Sequence, residues 1–385
     1  MRIFKERAGR AVMFVMTALP TLLVLLMLFG LFQKSKVILA LKSFTGLLFS
    51  SGWHPLRGEW VVIAAHRDQR PWRGGKVSEP PKEPTYDPSC YLCPRNVRAN
   101  GDTNPSYTGT FAFDNDFPPA GPGAPFATSA HGIYRAKPAQ GRCRVICYHP
   151  RHDLTLGLMK VSEIKKVVAA WQEEYRLLGA DRRINHVLMF ENKGQIVGVS
   201  NPHPHGQAYG TNIVFSVIAK EVHLSRQYMR RHGMPLYRAI IEQELEDDRR
   251  IIARNRSMVA FVPYFARYAY EVHLAPIESR PSVADLTPEE ADDFAHLLKV
   301  VLAKYDNLFT MPFPYVKTFH QAPTDGKAHP EFHFHVEFYP PLRNPVTLKY
   351  LAGPEIGGGN MLSDVAPEEK AKELQQTADI HYLEA

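Results

Sequence analysis

Hydrophobic positions recur along this chain with two different periods. From Val161 to Leu178, Ile164, Val167, Val168, Trp171 and Leu178 fall close to every 3.6 residues and predict an amphipathic helix. Leu286 to Leu308 predicts a second helix, opened by the capping pattern Thr287-Pro-Glu-Glu. Short β-type runs surround each helix. In the first half they are Glu59–Ala65, Thr110–Phe113, Arg144–Tyr148 and His186–Phe190. In the second half they are Met258–Tyr264, Glu271–Ala275, Tyr315–Phe319 and Phe332–Phe338. Each half closes on an H-x-H segment, His203-Pro-His205 and His333-Phe-His335. This recurring order predicts an α+β fold, with a duplicated unit of mainly antiparallel sheet and flanking helices. The interposed segment 216–256 is expected to be helical and charged, and the proline-rich stretch 76–88 an exposed loop.

One segment stands outside this pattern. Ala11 to Phe32 runs twenty-two residues without a charge, about the length of helix that crosses a bilayer core. It follows a basic stretch carrying Arg2, Lys5, Arg7 and Arg10, and no small-residue cleavage site comes after it. An N-terminal apolar helix acting as a membrane tether through residues 11–32 is therefore expected. A start codon assigned too early would produce the same run. Lys34, Lys36 and Lys42 on the far side leave its orientation open, and Val37–Phe49 suits an interfacial helix. The expected organisation is a leader over 1–50, a first half over 51–215, and the helical insert with the second half over 216–385.

Composition narrows the class. With 45% hydrophobic and 22% charged residues, 385 residues can build a sizeable core and are not a disordered polyelectrolyte. Four cysteines exclude a disulfide-dense scaffold. The net charge of +7 suits phosphate-bearing partners. Seventeen histidines are many for this length, and they cluster.

The strongest local signal is Ser200-Asn-Pro-His-Pro-His-Gly-Gln207. In an extended strand His203 and His205 would share a face. Pro202 and Pro204 stiffen the backbone, and Gly206 would admit a ligand close to it. A neutral imidazole here can attack phosphorus, with Gln207 donating to phosphoryl oxygens. A turn with two surface histidines fits the same residues less well, since prolines flank a histidine on both sides. Cys90-Tyr-Leu-Cys93-Pro suits a zinc knuckle, with His152 and His203 available as further ligands, although a C-x-x-C pair also serves redox chemistry. Cys143 and Cys147 read as inert core thiols. His320, His333 and His335 are either a second metal site with a carboxylate or aromatic-flanked core histidines. Arg67 and Arg70 offer guanidinium forks for anions, while Asn115, Asp116 and Asn192 offer polar groups for ribose and phosphate. Neither a P-loop nor a dinucleotide-binding glycine motif is present.

Together these motifs resemble the galactose-1-phosphate uridylyltransferases, a double-unit branch of the histidine-triad superfamily. The resemblance runs from about Trp60 to His381 and is carried by RPWRG, CYLCPRN, NPSYTGTFAFDNDF, RVICYHPRHDLTL, FENKG, SNPHPHGQ, VPYFARYAYEV, KYDNLF, PYVKTFHQAP and HFHVEFYPP. It implies a nucleotidyltransferase that exchanges UMP between UDP-glucose and a hexose 1-phosphate in ping-pong fashion, in galactose metabolism. His205 would be the nucleophile, assisted by Gln207 and Ser200. Zinc would sit on Cys90, Cys93, His152 and His203, and a second metal (Fe or Zn) on Glu221, His320, His333 and His335. Arg67, Arg70, Asn115, Asp116 and Asn192 would contact nucleotide and phosphate. Lys349, Tyr350 and Glu355 would contact the hexose, although Pro354 and the Gly357-Gly-Gly run depart from the family pattern there. A homodimer is expected, with a cytoplasmic catalytic part held at the inner face of a membrane if the leader anchors it. No nucleic-acid partner is expected. A sister activity, an ADP-glucose or dinucleoside polyphosphate phosphorylase or adenylyltransferase, would use the same histidine.

Overall fold

The computed structural model describes residues 50–65, 77–78, 81–124 and 129–384. The apolar run 11–32 and the arginines at 67 and 70 lie outside them. Among the described residues no helix is long and apolar enough to cross a membrane.

The strands in chain order are β1 (Ser50–His54), β2 (Glu59–Ile63), β3 (Phe111–Asp114), β4 (Ser129–His131), β5 (Tyr134–Ala136), β6 (Gly141–Cys147), β7 (His186–Lys193), β8 (His205–Thr211), β9 (Ile251–Arg254), β10 (Met258–Phe261), β11 (Val272–Pro276), β12 (Tyr315–His320), β13 (His335–Tyr339), β14 (Leu342–Asn344), β15 (Thr347–Leu348) and β16 (Leu362–Ser363). The helices are α1 (Val161–Gly179), α2 (Ser216–His232), α3 (Leu236–Asp247), α4 (Pro288–Phe309) and α5 (Pro367–Gln375).

One nine-stranded antiparallel sheet runs in the order β3-β6-β8-β7-β12-β13-β11-β10-β9. Outward from the central β7–β12 pair, β8, β6 and β3 on one side mirror β13, β11 and β10 on the other. Of the strands of this sheet, β3 and β6 precede α1 and β7 and β8 follow it, while β9, β10 and β11 precede α4 and β12 and β13 follow it. The mixed α+β class is as the periodicity predicts.

Both long helices form where predicted. Thr287 Oγ1 accepts from the Glu290 N–H at 3.2 Å and Glu290 returns the bond to the Thr287 N–H at 2.9 Å, which starts α4 at Pro288. Trp171 of α1 and Phe294 of α4 pack with Phe319 and Phe334 over the sheet in one large core. On β10, Met258 and Ala260 join that core, while Val259 and Phe261 point the other way, into a second cluster with Tyr237, Ile240 and Ile241 of α3. That strand is buried on both faces, which is why it reads as an unbroken apolar run. The 216–256 segment is helical as expected, up to β9.

Two strand boundaries differ for a reason that matters below. Neither H-x-H segment lies wholly in a strand: β8 begins at His205 and β13 at His335. The His205 ring donates from Nδ1 to the His203 carbonyl at 2.7 Å, and His335 does the same to His333 at 2.9 Å. The carbonyl that would extend each ladder is thus taken by a ring. Phe334 N–H likewise turns aside to the Arg280 carbonyl. β1, β9, the β4–β5 hairpin and the parallel pairing of β16 with β2 carried no periodic signal of their own.

Candidate active site and metal centres

His203 and His205 do not act as a pair on one face, because His203 precedes the strand. Its Nε2–H donates to the His149 carbonyl at 2.9 Å, which leaves the Nδ1 lone pair facing Cys93 Sγ at 3.5 Å. His152 Nδ1 lies 3.6 Å from the same sulfur, and its Nε2 meets the Glu83 carboxylate at 3.3 Å. Cys90, Cys93, His152 and His203 present ligand atoms within 4.8 Å of one another, all buried. Asn201 buttresses the group: its Oδ1 accepts from the His203 N–H at 2.9 Å and its amide touches Cys90 Sγ at 3.3 Å. Burial pushes His203 down to about 4 and Cys93 up to about 12. Two sulfurs and two imidazoles held by second partners can bind a metal ion. Cys143 and Cys147 are buried, and burial raises both thiols.

His205 looks elsewhere. With Nδ1–H committed to a carbonyl, its Nε2 carries the free lone pair, and burial lowers its affinity for a proton. It stands between a small pocket lined by Asn192, Ser200 and Gln207 and a cleft of about 260 Å³ bounded by Glu191, Asn192, Pro312 and the C-terminal Tyr382. Gln207 Oε1 accepts from Asn115 Nδ2 at 3.2 Å and from the Tyr209 hydroxyl at 2.9 Å, which aims its NH₂ away from both. Asp116 faces Arg98 at 3.9 Å. The predicted His205, Gln207, Ser200, Asn115 and Asn192 therefore converge. Gly206 lines the small pocket beside His205 and also meets an internal neighbour, since a Cβ there would lie 2.3 Å from the Tyr148 hydroxyl.

Lys349, Tyr350 and Glu355 are not among the residues lining either space around His205. Lys349 Nζ pairs with Glu355 at 3.4 Å beside β16, and Tyr350 is half exposed.

The second cluster corrects the predicted ligand set. His320 and His335 are directly paired across β12 and β13, and Glu221 of α2 meets His320 Nδ1 at 2.9 Å. The fourth member is Glu337, not His333: its carboxylate lies 3.3 Å from His335 Nε2 and 3.3 Å from His320 Nε2. His333 spends both nitrogens elsewhere, Nε2–H on the Pro276 carbonyl at 2.8 Å and Nδ1 on the Ser279 hydroxyl at 3.1 Å. Burial pushes its ring down to about 3. The cause is the strand boundary: only from His335 onward does period-two alternation hold, and two residues on it delivers Glu337 to the same face. Burial opposes charge on His320, but Glu221 and Glu337 outweigh it and hold the ring above its ordinary value.

Residues 50–214 match the N-terminal domain and residues 221–385 the C-terminal domain of galactose-1-phosphate uridyl transferase. The chain belongs to that family. It is 38% identical to the Haemophilus influenzae galactose-1-phosphate uridylyltransferase, over 86% of this chain and 95% of that one. It is 39% identical to the Rattus norvegicus enzyme, over 86% and 88%. A solved uridylyltransferase structure superposes with a TM-score of 0.69 at 29% identity, covering 85% of this chain and 97% of that chain. The uridyl transferase match spans both halves of the nine-stranded sheet, His205 and both groups that could hold a metal ion.

Proposed function

We propose that this protein is a uridylyltransferase that moves UMP from UDP-glucose to galactose 1-phosphate through His205. In the first half-reaction His205 Nε2 forms a bond to the α-phosphorus. The bond from that phosphorus to the bridging oxygen breaks, and glucose 1-phosphate leaves. In the second, a phosphate oxygen of galactose 1-phosphate attacks the same phosphorus and the P–N bond breaks, giving UDP-galactose and the free ring. Each displacement needs an in-line approach and little proton movement.

The observation that carries this reading is the 2.7 Å bond from His205 Nδ1–H to the His203 carbonyl, which fixes the tautomer with Nε2 unprotonated. Gln207, its Oε1 already committed, is placed to donate to a phosphoryl oxygen beside Ser200. Asn115, Asp116 and Asn192 would hold the nucleotide. The Cys₂His₂ donor set suits zinc, with four protein ligands and no open position, so the ion's contribution is to lock the 90–93 turn and the 149–152 loop to His203. Glu221, His320, His335 and Glu337 suit iron or zinc as a second structural ion. The fold would then be a duplicated histidine-triad unit. Because Lys349, Tyr350 and Glu355 stand apart from His205, they would reach the hexose of a second copy, with Arg67 and Arg70 on the phosphates, in a cytoplasmic homodimer.

The test is incubation with UDP-glucose labelled in its α-phosphate. The wild-type protein is expected to carry label that galactose 1-phosphate discharges, while His205→Gly binds the nucleotide but carries none. ADP-glucose run in parallel should label at least tenfold more slowly. Equal labelling of His205→Gly would exclude the histidine.

A further inference from the structure

The uridylyl exchange leaves several buried ion pairs without a task, and one of them lies on the central strands. Lys317 and Glu191 face each other across the central β12–β7 pair, in direct register. Lys317 Nζ lies 2.5 Å from Glu191 Oε2, and both side chains are almost fully buried, at 1% and 5% exposure. Gln207 on β8 is directly opposite Phe190 on β7, so Glu191 points to the other side of the sheet, toward the helices. There the ammonium stands 4.5 Å over the Trp171 ring. The Tyr148 and Tyr315 hydroxyls donate to Glu191 at 3.3 and 3.2 Å. Burial first, and then the carboxylate's own charge, hold both phenols protonated.

The pair is close to the chemistry all the same. The sheet is thin at Gly206, where no side chain separates the Tyr148 hydroxyl from the His205–Gln207 backbone. Glu191 borders both spaces that flank His205, and its charge acts on that ring against the effect of burial. Burying two charges is costly, and an apolar pair of similar volume would serve packing as well. A carboxylate alone at this wall would repel the phosphates that must enter.

We infer that Lys317 is a positioning residue for the anionic donor: by neutralising Glu191 from behind the sheet it keeps the wall beside His205 free of net negative charge. This rests on the uridylyltransferase reading. Glu191 with its two hydroxyl donors supports the start of β8 under His205, and Lys317 makes that carboxylate compatible with a polyphosphate substrate.

The experiment measures KM for UDP-glucose and kcat at pH 8 and low salt for Lys317→Met, Glu191→Gln and the double variant. It is paired with thermal melts and with labelling by α-phosphate-labelled UDP-glucose. Lys317→Met should raise KM about tenfold with a smaller change in kcat. Glu191→Gln should leave KM at or below the wild-type value. The double variant, neutral on both sides, should return KM to within about threefold. A purely structural pair would have both single variants damaging activity alike, in step with their melting temperatures. That pattern, or a double variant no better than Lys317→Met, overturns the inference. If Lys317→Met does not fold, the comparison of Glu191→Gln with the double variant still decides, since only charge compensation makes KM rise or hold on removing the lysine from an already neutral partner without exceeding wild type by more than threefold. Failure of the underlying function looks different: the wild-type protein itself would take no label.

Discussion

Replacing Gly206 by alanine tests how tightly the sheet is closed beneath His205. The added methyl would sit 2.3 Å from the Tyr148 hydroxyl oxygen, 3.1 Å from its Cζ and 3.2 Å from the Phe190 carbonyl oxygen. An ordinary carbon–oxygen contact is about 3.5 Å, so the hydroxyl must withdraw by about 1 Å. It has little room to do so. Tyr148 is 2% exposed, its ring stands edge-on to Trp171 at 5.7 Å, and its hydroxyl bonds Glu191 at 3.3 Å. Overpacking of this kind costs about 1–3 kcal/mol. Loss of the hydroxyl's hydrogen bond adds about 1 kcal/mol, so Gly206→Ala is expected to destabilise by about 3 kcal/mol. Tyr148→Phe alone removes one hydrogen bond and should cost about 1 kcal/mol. It also removes the atom in the way. The double variant should therefore fall short of the sum of the singles by at least about 1 kcal/mol. Urea unfolding of the four proteins measures this cycle, and labelling by UDP-glucose reports the position of His205. Additive stabilities would refute the close approach.

Two further outcomes follow from the site. Glu337→Ala should lower metal content at the second cluster by at least about tenfold, as counted by elemental analysis. His333→Ala should lose about 2 kcal/mol of stability yet keep the metal, and the reverse result would restore His333 as a ligand. Asp306, 2% exposed, accepts from Lys193 Nζ at 2.8 Å, His381 Nε2 at 3.2 Å and the Phe313 N–H at 2.6 Å. Burial would raise its carboxyl, but those partners outweigh burial and hold it below its ordinary value. Its folded value lies below its unfolded one. The stability it lends is therefore complete above the unfolded value, near 4, and is lost as pH falls through the folded value. Asp306→Asn should cost about 3 kcal/mol at pH 7, and urea unfolding should show that gap narrowing below about pH 4. A gap that stays constant to pH 3 would show that the aspartate is not charge-paired.

Much of this was legible in the chain itself. The 3.6-residue spacing of Ile164, Val167, Val168 and Trp171 can only bury one face of a helix, and Thr287 with Glu290 caps a helix whatever surrounds it. The C-x-x-C pair and the P-H-P segment mark the two places where the fold gathers buried thiols and imidazoles. The mixed α+β class also shows in the order of strand and helix signals alone. What tertiary structure decided is where ring hydrogen bonds interrupt a strand. His333 and His335 look equivalent to His203 and His205 in a line of letters. Yet the first ring of each pair turns out of the ladder, and in the second half Glu337, not His333, joins the cluster of His320 and His335. No periodicity reveals that Gly206 is pressed against Tyr148, or that Lys317 meets Glu191, since those contacts join strands more than forty residues apart. Local sequence sets which backbone shapes are cheap. Which side chains then share a buried space depends on how distant strands align, and only the folded sheet fixes that register.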